Sequence, residues 1–378
     1  MNPFEVHAGD VRLVPLRRIS PSRFQACKEC PLREVYGASR ADRLLPRAAA
    51  AHFGTAVHRL LAAAAHTQEL ELSALRAGQL LDSYVAEQEA KMADSAADQM
   101  LLPISDHLRD YEVRRRRAIS AAMLLARSGT SRPSRPAERV APRRVLGAEV
   151  WVSTADGIVG GYIDEVAPSD AGIVLRDYKT GLAATPGTAA EAAAWQQLKL
   201  YAALYAETTG QWPVTLEIVP LDGAVHAEVV SRDECRSLLS EARRLAEECN
   251  AILIAYAAFD AAMRLARPAS ETCRRCEYRP LCPAYRQLCS TGDENLPNDV
   301  FGTISARHSL GNGRLLFEVT DDARLRTLIR GITNDADRHP ALPLLELGRE
   351  VGFFNLAGDR TTRTFSETRT TVAVVYAA

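Results

Sequence analysis

The 378-residue sequence lacks several features, and each absence narrows what it can be. It has no long charge-free apolar run. The stretch Leu60 to Ala65 is short and bounded by His58, Arg59 and His66, whereas a bilayer-spanning helix needs about 20 apolar residues. The opening MNPFEVHAGDVRLV has no basic start followed by an apolar core. No secretory signal is therefore expected, and a reducing, cytoplasmic location follows. Charge of one sign is also missing: 46 Lys and Arg offset 47 Asp and Glu, for a formal net charge of -1. No global basic field exists, so any polyanion must be met by a local patch. No internal repeat is evident.

What remains is an ordinary soluble composition, 47% hydrophobic and 25% charged, with length for about two domains. Ser20 reads as a helix N-cap with Pro21 at the first helical position. A second helix is expected around Phe53 to Leu61, and a helical region from Leu70 to about Ser128. Thr130 to Arg144 (TSRPSRPAERVAPRR) reads as a flexible basic loop. Strands follow at Val145–Val152, Ile158–Val166 and Ile173–Tyr178. Next come a helix over Glu191–Thr208, strands at Trp212–Pro220 and His226–Val230, and a long helix or helix pair from Ser231 to about Arg267. Ser290 to Asn298 (STGDENLPN) reads as a linker. The last eighty or so residues read as strands (Leu315–Val319, Leu345–Phe354, Thr371–Tyr376) around a helix near Ala323–Ile332. This end lacks the interleaved aromatic and basic residues of a single-strand-gripping surface, so Phe317, Phe353 and Phe354 are read as core.

Five of the eight cysteines form two groups, Cys27-x-x-Cys30 and Cys273-x-x-Cys276-x5-Cys282. Cys235, Cys249 and Cys289 read as incidental. Thiolates are soft ligands, usually four to a centre. Paired Cys-x-x-Cys knuckles would hold zinc and leave Cys282 spare. A 4Fe–4S cluster would use Cys273, Cys276 and Cys282 with a fourth ligand from Cys30 or Cys27.

The richest stretch runs from Gly160 to Gly181 (GGYIDEVAPSDAGIVLRDYKTG). It reads as two strands joined by a turn at Ser169, Asp170 and Gly172, with Asp164 ending the first and Asp177-Tyr178-Lys179 closing the second. Period-two alternation points Asp177 and Lys179 to one side. Two carboxylates and an amine at one sheet edge suit a hard dication beside a charge-stabilising lysine. A D-x-K triplet by itself also occurs on solvated hairpins. Glu149, on the preceding strand, reads as an outer carboxylate or a surface charge. Gln197 and Tyr201, four apart, share one helix face.

The order of these pieces resembles the RecB-like branch of the PD-(D/E)XK nucleases. The matching pieces are Ser20-Pro-Ser-Arg-Phe24 with Cys30-Pro31, Gly54-Thr-Ala-Val-His58, Gly161-Tyr-Ile-Asp164, Asp177-Tyr-Lys179-Thr-Gly181, Gln197-Leu-Lys-Leu-Tyr201 and the three-cysteine loop. Within that branch the chain is similar to the iron–sulfur group that includes the AddB nuclease domain and CRISPR-associated exonucleases. The resemblance covers residues 19 to about 289 and implies an α/β, restriction-endonuclease-like core, a mixed central sheet flanked by helices. It also implies a nuclease domain over 1–289 with a helical insertion at about 65–128. The linker at 290–298 and a small β-rich accessory domain over 299–378 are read from composition and pattern, and the last eighty or so residues have no counterpart in the resemblance. By the same resemblance, His58, Asp164, Asp177 and the carbonyl of Tyr178 would ligate Mg²⁺ or Mn²⁺. Lys179 would serve the attacking water and the scissile phosphate, while Gln197 and Tyr201 hold the lysine and the backbone. Cys30, Cys273, Cys276 and Cys282 would hold a structural 4Fe–4S cluster, Cys30 being preferred over Cys27 because Pro31 follows it. The implied activity is a DNA nuclease acting on single strands or ends in repair, recombination or defence, with a helicase as a possible protein partner. Two other readings compete: a nuclease-fold binding or scaffold subunit with little activity alone, and a zinc-knuckle protein with an incidental D-x-K hairpin.

Overall fold

The computed structural model describes residues 2–7, 11–39, 41, 43–66, 72–128, 146–179, 187–221, 225–291 and 295–377. The expected basic loop Thr130–Arg144, the end of the hairpin at Thr180 and Gly181, and positions 292–294 of the expected linker lie outside the described residues.

Strand β1 (Glu5–His7) is followed by helices α1 (Pro21–Glu29), α2 (Pro31–Ala38), α3 (Ala49–His66), α4 (Ala74–Ala93), α5 (Ile104–His107) and α6 (Tyr111–Ser128). Pro21 and Pro31 each open a helix, where the missing N–H costs nothing. Strands β2 (Gly147–Ser153), β3 (Gly160–Ser169) and β4 (Gly172–Lys179) lead into α7 (Ala189–Thr209), then β5 (Thr215–Pro220) and β6 (His226–Val229). Thr188 caps α7 by accepting from the Glu191 N–H, and Gly210, at φ +76°, ends it in the left-handed conformation. Helices α8 (Arg232–Ala255), α9 (Ala258–Leu265), α10 (Ser270–Arg274) and α11 (Pro283–Cys289) follow. The expected helix from Ser231 to Arg267 is thus a pair.

β2 to β6 form one sheet in chain order, antiparallel except for the parallel pair β4–β5. Joining parallel neighbours requires a crossover, and α7 supplies it. Each face of this mixed sheet meets helices. On one side Val150, Val152, Ile163, Leu175 and Ile218 pack with residues of α1, α2, α7 and α8, including Phe24, Leu198 and Tyr205. On the other, Tyr178 joins a cluster built from α3, α4 and α6, including Phe53, Val57, Leu60, Leu81 and Ala122. The helical stretch expected at 65–128 contributes much of this second layer. The arrangement is the α/β, restriction-endonuclease-like architecture expected from the sequence.

The remaining strands are β7 (Val300–Ser309), β8 (Leu315–Thr320), β9 (Arg326–Ile332), β10 (Glu350–Phe354), β11 (Ala357–Asp359), β12 (Thr364–Ser366) and β13 (Val372–Ala377). They form an eight-stranded sheet in the order β1-β13-β10-β7-β8-β9-β12-β11. Phe317, Phe353 and Phe354 are fully buried in its core, as expected. Two expectations are corrected. The helix near Ala323–Ile332 is instead the strand β9, paired antiparallel with β8. Thr327 and Ile329 alternate inward there while Arg326 and Arg330 face out, a period of two that the partner strand rewards. The accessory unit also does not begin cleanly after residue 298. β1 pairs in parallel with β13, and Phe4, Leu44, Leu45, Cys273 and Tyr285 belong to this sheet's core.

Candidate active site and cysteine cluster

β3 and β4 pair antiparallel around the turn at Asp170 and Ala171. β3 runs on to Ser169, so Asp164 sits within the strand rather than at its end. Alternation on β4 buries Tyr178 in the α3–α6 layer and turns Asp177 and Lys179 toward α7. Gln197, on that helix, bridges the two. Its Nε2 donates to Asp177 Oδ1 at 2.8 Å, and its Oε1 accepts from Lys179 Nζ at 2.9 Å. Lys179 Nζ also lies 2.7 Å from Asp177 Oδ2. Beyond that ion pair, this buried carboxylate oxygen has no hydrogen-bond partner.

Asp164 meets Asp177 from β3. Its Oδ2 accepts from the Tyr178 N–H at 2.8 Å and lies 3.5 Å from His58 Nδ1 on α3. Burial pushes the carboxyl of Asp177 up to about 6; Lys179 pulls against that rise and the charge of Asp164 adds to it. His58 moves up as well. Burial opposes its charged form, but the hydrogen bond and charge of Asp164, with the charge of Asp177, outweigh it. Each group reports its neighbour, as expected where carboxylates share a site.

Tyr201 is buried one turn beyond Gln197, with its hydroxyl 3.0 Å from where a Cβ on Gly161 would lie. A side chain at 161 would displace it. Burial, then the charges of Asp164, Asp177 and Glu149, hold the Tyr201 phenol well above its usual range. Glu149 has a left-handed φ of +50°, between the pairs Ala148–Glu165 and Val150–Ile163, so it stands opposite Asp164. With His58, Asp164 and Tyr178 it lines a small cavity. Such strain in a non-glycine residue is found where surrounding structure imposes it, often at functional sites.

Asp164, Asp177, Lys179, Gln197, Tyr201 and His58 all open onto one cleft of about 590 Å³. The structure thus gathers every catalytic and metal-site side chain expected from the sequence. Glu149 stays just outside the main cleft. Matching the whole chain to family profiles gives one decisive result: the PD-(D/E)XK nuclease superfamily matches residues 18–283. The chain belongs to that superfamily. Comparison with curated proteins gives no match.

For a PD-(D/E)XK nuclease the donor set fits a hard dication. Two carboxylates converge with an imidazole beside them, and the buried Asp177 Oδ2 has no partner beyond the Lys179 ammonium. Among the described residues no group of three or more His, Cys, Asp or Glu side chains is arranged to hold a metal ion; at Asp177 the Lys179 ammonium lies against Oδ2.

The cysteines separate clearly. Cys27 is buried in the first core and its free thiol shares a hydrogen bond with that of Cys249 on α8, so it turns away from the loop. Cys30, one residue past α1, instead interacts electrostatically with Cys273, Cys276 and Cys282. Burial lifts the thiols of Cys276 and Cys282 to about 12, and neighbouring thiols push the same way. Of the two, Cys30 is the thiol that neighbours the three-cysteine loop. Thiols are the ligand type that zinc and iron–sulfur centres use, but among the described residues these four are not arranged as a metal-holding group.

Sequence reasoning missed four residues that line the cleft: Arg18, Glu34, Trp151 and Tyr162. Alternation against the buried Val150, Val152 and Ile163 was the available signal for the two aromatics.

Proposed function

We propose that the protein is a divalent-metal-dependent deoxyribonuclease of the RecB-like kind, acting on single strands or DNA ends. The observation that carries this reading is the linkage of Asp177, Gln197 and Lys179 beside Asp164 in one cleft. His58, Asp164, Asp177 and the Tyr178 carbonyl would hold Mg²⁺ or Mn²⁺, with Glu149 as an outer carboxylate. Bound there, the cation supplies polarisation of the phosphoryl oxygen and a more acidic bound water. The chain's own groups do the rest. Gln197 fixes the Lys179 ammonium at the carboxylates, where it orients the attacking water and offsets charge on the phosphate; only as the neutral amine could it take the water's proton. The Tyr201 phenol, kept protonated by burial, serves as a hydrogen-bond donor to the backbone phosphate. Cys30, Cys273, Cys276 and Cys282 hold a structural 4Fe–4S cluster in this reading, tying the two ends of the domain together.

The test incubates labelled single-stranded and duplex DNA with Mg²⁺ or Mn²⁺ and the wild type, Asp177→Ala or Lys179→Ala. Cleavage by the wild type and loss in both variants is expected. Equal cleavage by all three sinks the assignment. Iron and sulfide analysis of an anaerobic preparation tests the cluster; a colourless protein with bound zinc rejects it.

A further inference from the structure

At the rim of the cleft three side chains form an organised surface outside the catalytic machinery. Trp151 on β2 and Tyr162 on β3 are cross-strand partners. Their ring centroids are 4.8 Å apart at 63°, an edge-to-face contact that fixes each ring. The guanidinium of Arg18 lies 4.5 Å from the Trp151 ring centroid, and its Nε donates to the Gly157 carbonyl at 3.3 Å. Neighbouring Val150, Val152 and Ile163 point into the core, so alternation turns both aromatics outward. Trp151 stays 37% and Tyr162 54% exposed. Single exposed aromatics are unremarkable, but these are pre-positioned, backed by an arginine and open onto the cleft that holds Asp164, Asp177 and Lys179.

Tyr162 precedes Asp164 by two residues on β3, which puts it about 7 Å away along the strand and on the same side. That is close to the reach of one extended nucleotide.

We infer, resting on the nuclease reading above, that Trp151, Tyr162 and Arg18 form a stacking platform for the unpaired base next to the scissile phosphate. Every base offers a π-face, so such a platform tolerates sequence. In a duplex that face is covered by the neighbouring base pairs, so the platform favours an unpaired strand. Arg18 adds positive charge for the flanking phosphate and a planar group for the base.

The test measures binding by the full chain in Ca²⁺, without cleavage, to a labelled oligothymidylate, the equivalent RNA, an abasic oligonucleotide and a blunt duplex. Trp151→Ala and Tyr162→Ala are expected to lose about 5- to 150-fold in affinity for the single strands. Tyr162→Phe should bind like wild type, and duplex affinity should not move. Wild type should bind the abasic strand as weakly as the alanine variants bind the intact one. Wild-type affinity for the abasic strand equal to that for the intact strand overturns the platform, and this arm needs no variant to fold. So does an equal loss on single strands and duplex, which marks the rings as a cover for the sheet edge. Failure of the nuclease reading looks different: the wild type then cleaves nothing in Mg²⁺ or Mn²⁺, while the binding comparison still decides the platform.

Discussion

Arg279 and Asp299, each almost wholly buried, form an ion pair at 2.8 Å that joins the cysteine segment to the eight-stranded sheet. Arg279 also donates to the carbonyls of Cys273 and Arg274, and Asp299 accepts from the Tyr285 hydroxyl at 2.7 Å. Removing one partner strands the other charge away from water. Asp299→Ala or Arg279→Leu is therefore expected to cost about 3–5 kcal/mol, measured by denaturant unfolding. Replacing both together should cost less than the sum. A strictly additive double variant would show that the pair is not coupled.

Gln197 holds Lys179 and Asp177 at once, so its loss should misplace the lysine without emptying a core. Gln197→Leu is expected to lower the cleavage rate by about 100-fold, with little change in thermal midpoint. Unchanged rates would show that Lys179 is positioned by Asp177 alone.

The Cys27 thiol is hydrogen-bonded to Cys249, while Cys30 neighbours the three-cysteine loop. Cys30→Ser should lower bound iron and sulfide, and Cys27→Ser should leave both unchanged. Equal iron in the two variants contradicts the assignment of Cys30 as the fourth ligand.

Glu367 gives a pH dependence remote from the cleft. Burial alone would raise its carboxyl, but His339, 2.9 Å away, and hydrogen bonds from the Thr333 side chain and N–H lower it to about 2. A depressed folded-state value means stability that is fully present above the unfolded value of 4.5 and lost as pH falls toward 2. The shift corresponds to roughly 3 kcal/mol. Glu367→Gln should lower stability at pH 7 and flatten its decline between those limits, read from unfolding midpoints across pH. A parallel acid decline in both proteins would remove Glu367 as its source.

Much of the fold was legible in the chain because its signals are local. Period-two alternation marked β3 and β4 and sent Asp177 and Lys179 to one face. Pro21 after Ser20 and the four-residue step from Gln197 to Tyr201 identified helix starts and faces. The helix expected at Ala323–Ile332 failed although Thr327, Ile329 and Ile332 are β-branched strand formers; the run is short, and pairing with β8 makes it a strand.

The sequence by itself determined which chemistry was available: two carboxylates, a lysine, a histidine and grouped thiols, in an order tied to known nucleases. Only tertiary structure decided how they meet. Cys27 and Cys30 are three residues apart, yet one faces α8 and the other the distant cysteine loop, because the chain leaves α1 between them. β1 joins β13 across nearly the whole chain. Asp164, on β3, reaches the Tyr178 N–H of the neighbouring β4, but it meets His58 only because α3 packs on the sheet. Contacts between residues far apart in sequence depend on packing, and no local pattern encodes them.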